Sequence, residues 1–171
     1  MSVLLIGSAG ELPATVAARM VAQGDEVRAI ATDPALEGLS THGVRIARAP
    51  DLDADLVERA AQNVRTIVLF ELDETTLEAV LEGAQAARVE RLVVCSRSVP
   101  ETVRELLRGC GIEYVVLEVP RKGRFRKGVP DEAVAEAVDA ADDMAGELRL
   151  ELDLNESDAW QTLKLEAPSR P

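Results

Sequence analysis

The chain is nearly without aromatic residues, holding one tryptophan, one tyrosine and two phenylalanines among 171 residues. Its core must therefore be packed from many small side chains, chiefly Ala, Val and Leu, which suits strands laid closely against helices. Cysteine is scarce as well. Cys95 and Cys110 lie in apolar segments without metal-ligand spacing, so buried free thiols are expected rather than a disulfide framework or a zinc site. The one histidine, His42, sits beside Gly43 at an expected helix end, where it favours the dipole. No nucleophile stands with a base, and neither a metal-ligand cluster nor a Walker-type phosphate loop is present. No apolar run reaches membrane-spanning length and no basic leader opens the chain, so the sequence reads as a soluble, cytoplasmic protein.

Positive charge is also in deficit. The net charge of -12 argues against a general affinity for nucleic acid or for an anionic membrane surface. Residues 1–120 carry -8, residues 121–128 carry +5 and residues 129–171 carry -9, which isolates one basic segment. Arginine outnumbers lysine 16 to 3, which fits either a GC-rich genome or a salt-adapted host.

What is present is an organised alternation of apolar runs and helical patterns. Val3 to Ile6 read as a strand buried on both faces, followed by the turn Gly7-Ser8-Ala9-Gly10 and a helix beginning at Glu11-Leu12-Pro13. The two glycines let backbone N–H groups approach a phosphate at the start of that helix. Leu12, Val16, Met20 and Val21 recur at helical spacing up to Gly24. Strands follow at Val27–Ala31, Val44–Ala47, Thr66–Phe70, Leu92–Cys95 and Glu113–Val119. Helices are expected after Asp33-Pro34, over roughly 54–62, over 74–87 and over 99–108. Six strands with five helical connections predict an α/β, doubly wound parallel sheet, Rossmann-like with three α/β/α layers. The glycine turn then lies at the topological switch point, where a ligand belongs.

The last third departs from this rhythm. Arg121, Lys122, Arg124, Phe125, Arg126 and Lys127 form a basic loop, and a helix starts at Pro130-Asp131-Glu132 with Val134, Val138 and Met144 toward the core. Residues 147–154 alternate as a half-buried edge strand, and Ser157-Asp158 caps a short terminal helix through Trp160. The expected organisation is a single domain over 1–166, with a shortened lobe at about 120–166 and a tail at 167–171.

Read together, the glycine turn, Asp51-Leu52, Arg91-Leu92-Val93-Val94 and the stretch from Gly111 to Leu117 resemble the atypical short-chain dehydrogenases/reductases, nearest the NmrA-like, NAD(P)H-binding branch. Asp131 to Ala135 resembles that family's acidic helix start after the substrate loop. The resemblance covers about residues 3–155 and implies NAD or NADP as cofactor, or another small anionic ligand. The implied binding residues are Gly7, Ser8, Ala9, Gly10, Glu11 and Leu12 for the pyrophosphate turn, with Asp51 and Leu52 toward adenine. Thr32 and Asp33 stand where the ribose would lie, with Asp33 either holding its hydroxyls or capping the next helix. Asp51 has the same alternative of a turn or cap residue. Phe70, Ser96 and Val119 would floor the nicotinamide position, and Arg121 would start a basic loop that either closes over the anion or pairs with the protein's own acidic helix.

The departures from that family are equally specific. Pro13 replaces a third glycine, Glu11 brings a carboxylate to the phosphate position, and Glu71 and Glu118 add negative charge at the rim. The only tyrosine, Tyr114, lies in an apolar strand with no lysine after it, so the usual Tyr/Lys proton-transfer pair is missing. The sequence thus points to a nucleotide-responsive regulatory or structural protein, with a small NAD(P)H-dependent reductase of quinone-like or conjugated acceptors as the alternative. A homodimer through the helices flanking the fourth and fifth strands fits either.

Overall fold

A parallel sheet buries both faces of its inner strands, and this chain supplies inner strands apolar at most positions. The computed structural model describes residues 1–7, 10–32, 39, 43–70, 73–119, 128–144 and 148–166. Among them one sheet is built from β1 (Ser2–Gly7), β2 (Glu26–Ala31), β3 (Arg45–Arg48), β4 (Thr66–Phe70), β5 (Arg91–Ser96), β6 (Glu113–Glu118) and β7 (Arg149–Asp153). Its order is β3-β2-β1-β4-β5-β6-β7 and every pairing is parallel. The described helices are α1 (Glu11–Ala22), α2 (Ala54–Ala60), α3 (Glu74–Ala86), α4 (Glu101–Gly109), α5 (Asp131–Asp143) and α6 (Ser157–Glu166).

Successive strand side chains point to opposite faces, and this divides the core in two. Val3, Leu5, Val68, Val93, Val115 and Leu117 pack under α1, α5 and α6. Leu4, Ile6, Ile67, Leu69, Leu92 and Val94 pack under α2, α3 and α4. The result is the expected doubly wound, three-layer α/β/α architecture, with the direction of winding changing between β1 and β4.

Some boundaries differ from the sequence reading for identifiable reasons. Val21 is 36% exposed while Met20 is buried, because neighbouring helix positions lie about 100° apart and only one can face the sheet. Helix α4 starts at Glu101 rather than at 99, since Pro100 is its extended N-cap. The terminal helix runs on past Trp160 to Glu166, with Ala159 and Leu163 buried on α5's side of the sheet. The helix expected after Asp33-Pro34 falls outside the described residues except at Leu39, which is buried. In α3, a Cβ on Gly83 would stand 2.5 Å from the Ala54 carbonyl oxygen and 2.6 Å from Val57 Cβ, so the missing side chain sets how closely α2 crosses α3.

Arg91 and Asp142 are among the polar residues buried at the amino edge of the sheet. Arg91, 3% exposed, donates through Nη1 to the carbonyls of Ala141, Asp142 and Met144 at 3.0, 2.8 and 2.7 Å, and through Nη2 to Glu113 Oε2 at 2.7 Å. It thereby caps the carboxyl end of α5. Asp142, 1% exposed, accepts a 2.5 Å hydrogen bond from Thr66 Oγ1. Burial raises its pKa, against the opposing pull of the Thr66 hydroxyl and the Arg65 cation.

A carboxyl whose folded-state pKa is raised contributes stability that is complete below its unfolded value and is lost as pH rises through the folded value. Asp142→Asn is therefore expected to melt above the wild type at neutral pH. The difference should narrow on approaching about pH 4, where the wild-type carboxyl also takes up its proton. Thermal unfolding followed by circular dichroism across that range checks it, and a variant less stable than wild type at neutral pH contradicts it.

Candidate functional site

The carboxyl edge of the sheet gathers most of the described residues that the sequence singles out. Gly7 ends β1 in register with Ala31 on one side and Phe70 on the other. Thr32 extends β2 by a 3.3 Å bond from its N–H to the Gly7 carbonyl. Phe70 ends β4, opposite Cys95 of β5, and Ser96 stands opposite Glu118 of β6. Val119 N–H then donates to the Ser96 carbonyl at 2.8 Å. Thr32, Gly7, Phe70, Ser96 and Val119 thus form one row across β2, β1, β4, β5 and β6. Ser8, Ala9, Asp33, Glu71 and the basic loop from Arg121 to Lys127 lie outside the described residues.

The two described glycines serve different ends. Gly7 has φ +141, and a Cβ there would stand 2.5 Å from the Phe70 carbonyl oxygen, so its glycine is required by the strand packed beside it. Gly10, the N-cap of α1, is exposed and extended at φ 179, a conformation open to any residue. A Cβ there would meet only Pro13 Cδ, at 3.8 Å. Nothing within the described chain needs glycine at position 10, at the amino end of α1. Glu11 is exposed in the first turn and Leu12 half-buried, while Pro13 is buried and withholds its N–H.

Asp51 and Leu52 follow β3 at the same edge. Asp51 is exposed, and α2 is capped instead by Asp53, whose Oδ1 accepts from Leu56 N–H at 2.7 Å. Leu52 packs partly into the core beneath α2 and α3. Asp73 caps α3 in the same way, and the Thr76 amide at 2.8 Å holds its carboxyl below the usual carboxylate range. Two carboxylates thus occupy the starts of α2 and α3, on the other face of the sheet from α1.

Groups available for proton transfer are few. Tyr114 is the second residue of β6, 3% exposed in the core beneath α4, and does not reach the edge. The Ser96 hydroxyl is committed to a turn, donating to the Ser98 carbonyl at 3.0 Å and accepting from Ser98 N–H at 3.4 Å. Cys95 is fully enclosed, and burial pushes its thiol up to about 12, so it carries no thiolate at neutral pH. Cys110 is a second buried free thiol. Among the described residues no group of three His, Cys, Asp or Glu side chains is placed to hold a metal ion, and no helix is long and apolar enough to cross a membrane.

One rim charge is not as the sequence suggested. Glu118 is ion-paired with Arg104 of α4, and the same guanidinium also reaches Glu151 of β7. Arg104 was not apparent as a site residue, because a lone arginine in a helix of mixed charge reads as a solvated face and its partners lie 14 and 47 positions away. An open groove of about 430 Å³ lies on the outer surface between α3 and α4, with Leu81, Leu106 and Gln85 on its walls. It is helix surface and takes in none of the row at the sheet edge.

The sequence matches no family model, and no curated protein sequence matches it. Solved structures share its fold. A short-chain dehydrogenase/reductase from Veillonella parvula, solved in complex with NADP, is 14% identical with a TM-score of 0.71, each chain covered over 99% of its length. A NADPH-dependent quinone oxidoreductase from Escherichia coli is 18% identical with a TM-score of 0.70, over 89% of this chain and 67% of that one. A triphenylmethane reductase from Citrobacter is 13% identical with a TM-score of 0.71, over 88% and 68%. At these identities the likeness establishes a Rossmann-like fold.

The contrast between the two glycines is open to measurement. Gly7→Ala combines a strained backbone with a steric clash and is expected to lower Tm by roughly 5 °C or more. Gly10→Ala exchanges one N-cap residue for a poorer one and is expected to stay within about 3 °C of the wild type. Differential scanning calorimetry of both variants decides, and equal losses would show that Gly10 is also held by packing.

Proposed function

We propose that the carboxyl edge binds a nicotinamide dinucleotide, and that the protein is a nucleotide-responsive regulatory or structural relative of the short-chain dehydrogenases/reductases that has lost their Tyr/Lys machinery. The observation that carries this reading is Gly10, a glycine that neither its backbone angles nor its described neighbours require, with its open face at the amino end of α1. A pyrophosphate lying close against that face would meet the positive end of the helix dipole and the first-turn amides of Glu11 and Leu12. Asp51 and Leu52 would stand toward the adenine, Thr32 and Asp33 toward the ribose, and Phe70, Ser96 and Val119 beneath the nicotinamide, with Arg121 leading the basic loop over it. Similar structures bound to NADP support the ligand class. Thr32 offers no cation for a 2'-phosphate, so the choice between NAD and NADP is left to titration.

The same residues argue against Tyr-dependent carbonyl reduction. Tyr114 is buried away from the edge and the Ser96 hydroxyl is engaged in its own turn, so no described side chain is poised to deliver a proton there. A second reading keeps catalysis. A bound dihydronicotinamide supplies a hydride, and an acceptor needing no side-chain proton donor would then be positioned over the half-buried Val119. The resemblance of the fold to reductases of a quinone and of a triphenylmethane dye favours this as the alternative. A homodimer through α3 and α4 is compatible with both.

Calorimetric titration with NADH and NADPH, each at low and high salt, tests the primary reading. Saturable binding is expected with at least one dinucleotide and no weaker at high salt, which screens Glu11 and the capping carboxylates. Gly10→Asp is expected to lower affinity about tenfold or more while leaving Tm unchanged or higher, because aspartate is a good N-cap but fills the open face with like charge. No saturation at millimolar concentration in either salt overturns the reading. Turnover of a quinone with NADPH would move the assignment to the reductase.

A further inference from the structure

We propose that Arg48 makes the carboxyl edge select NADP(H) over NAD(H), its guanidinium taking the phosphate carried on the 2'-oxygen of the adenosine ribose. The inference rests on the reading of this edge as a dinucleotide site and names the cofactor that the reading leaves open.

Arg48 is the last residue of β3, in register with Ala31 of β2, which is itself in register with Gly7 of β1. The Ala49 N–H donates to the Ala31 carbonyl at 3.1 Å, so β3 runs beside β2 up to the point where Thr32 leaves it. Thr32 and Asp33 are the residues assigned to the ribose, and Asp51, three positions after Arg48, is assigned to the adenine. Arg48 therefore stands one strand away from the ribose position. Adjacent strands are about 4.8 Å apart, a gap that an arginine side chain crosses.

The face of the sheet also agrees. Ala31 and Ile46 belong to the core packed under α1, while Ala47 belongs to the opposite core. Side chains alternate along a strand, so Arg48 shares the face of Ile46, on which α1 begins with the Glu11 and Leu12 amides. With the strand order β3-β2-β1, a ligand that runs from the start of α1 past Thr32 toward Asp51 passes in front of Arg48.

The charge has no other described use at this edge. Arg48 is exposed and makes no ion pair among the described residues, whereas Arg45 at the other end of β3 lies 3.6 Å from Glu26. Charged residues on an edge strand keep it from pairing with another chain, and both arginines serve that end. Arg48 alone is at the carboxyl edge. Thr32 brings no cation to a 2'-phosphate, and among the described residues 31–32 and 48–53 Arg48 is the only cation. A guanidinium forks onto phosphate through two parallel N–H bonds, and that phosphate is the whole difference between NADP and NAD.

Calorimetric titration with NADPH and NADH at low salt, on the wild type, Arg48→Gln and Arg45→Gln, reads the ratio of the two affinities in each protein. The wild type is expected to bind NADPH about tenfold or more tighter than NADH. Arg48→Gln should weaken NADPH about tenfold or more and leave NADH within about twofold. Arg45→Gln removes the same charge from the amino end of the same strand, and its ratio should stay within about twofold of the wild type. Both side chains are exposed, so Tm is expected to stay within about 2 °C in each variant. NADH bound by the wild type as tightly as NADPH, an unchanged preference in Arg48→Gln, or an equal loss of preference in both variants each overturns the inference while leaving the dinucleotide site intact. Absence of wild-type binding to either dinucleotide overturns both.

Discussion

The buried guanidinium of Arg91 is the contact through which the two ends of this fold are tied together. Desolvating a cation is costly, and here the cost is offset by three carbonyls at the negative end of α5 and by the Glu113 carboxylate. The bond fixes the carboxyl end of α5 against the start of β5. Along its length α5 packs on α1, where Asp139 Oδ2 accepts from Arg19 Nε at 3.0 Å and from Gln23 Nε2 at 3.2 Å. Helix α1 in turn carries Gly10 to the opposite edge of the sheet. The aim of the candidate site is therefore set by a chain of polar contacts that begins at the amino edge, and packing of Val16, Met20, Val134 and Val138 fills the space between.

Binding an anion to a protein of net charge -12 is a problem of local rather than overall electrostatics. Beyond a Debye length of about 8 Å the general surface charge is screened at physiological salt, so what counts is which carboxylates stand at the rim and what they are paired with. Asp53 and Asp73 are engaged with helix amides, and Glu118 with a guanidinium. Glu11 is the acid placed most directly against the candidate phosphate position, and it sits at the same helix end that attracts a phosphate. The dipole that would stabilise the ligand also stabilises the side chain competing with it.

The sheet was legible in the sequence because parallel strands buried on both faces leave runs such as Val3-Leu4-Leu5-Ile6 and Thr66-Ile67-Val68-Leu69-Phe70, which no exposed element tolerates. The edge strand β7 was legible for the opposite reason, since one face alone is covered and leucines alternate with charges. The glycine turn was visible too, but not the division of labour within it. Whether a neighbouring carbonyl demands the glycine, as at Gly7, or no described neighbour does, as at Gly10, depends on β4, which arrives about sixty residues later. Arg91, Arg104 and Gly83 were hidden for a related reason. Each acts on a partner distant in sequence, and a charge or a glycine within a regular element has no periodicity to betray it. Asp53 rather than Asp51 caps α2, because the helix starts at Ala54 and the cap is the residue immediately before it.

The backbone itself narrows where recognition can occur. Along the carboxyl edge the N–H groups of Thr32, Ala49, Val119 and Leu154 donate to the carbonyls of Gly7, Ala31, Ser96 and Glu118, continuing the sheet's ladder past the strands. Those donors are unavailable to a ligand. The starts of α2 and α3 are filled by their own aspartates, while α4 and α5 begin behind Pro100 and Pro130 without a side-chain cap. At α1 an α-helix leaves its first amides without intrahelical partners, Pro13 removes one of them, and Gly10 supplies no side chain to take the rest. An anion at the start of α1 would be met by the Glu11 and Leu12 amides.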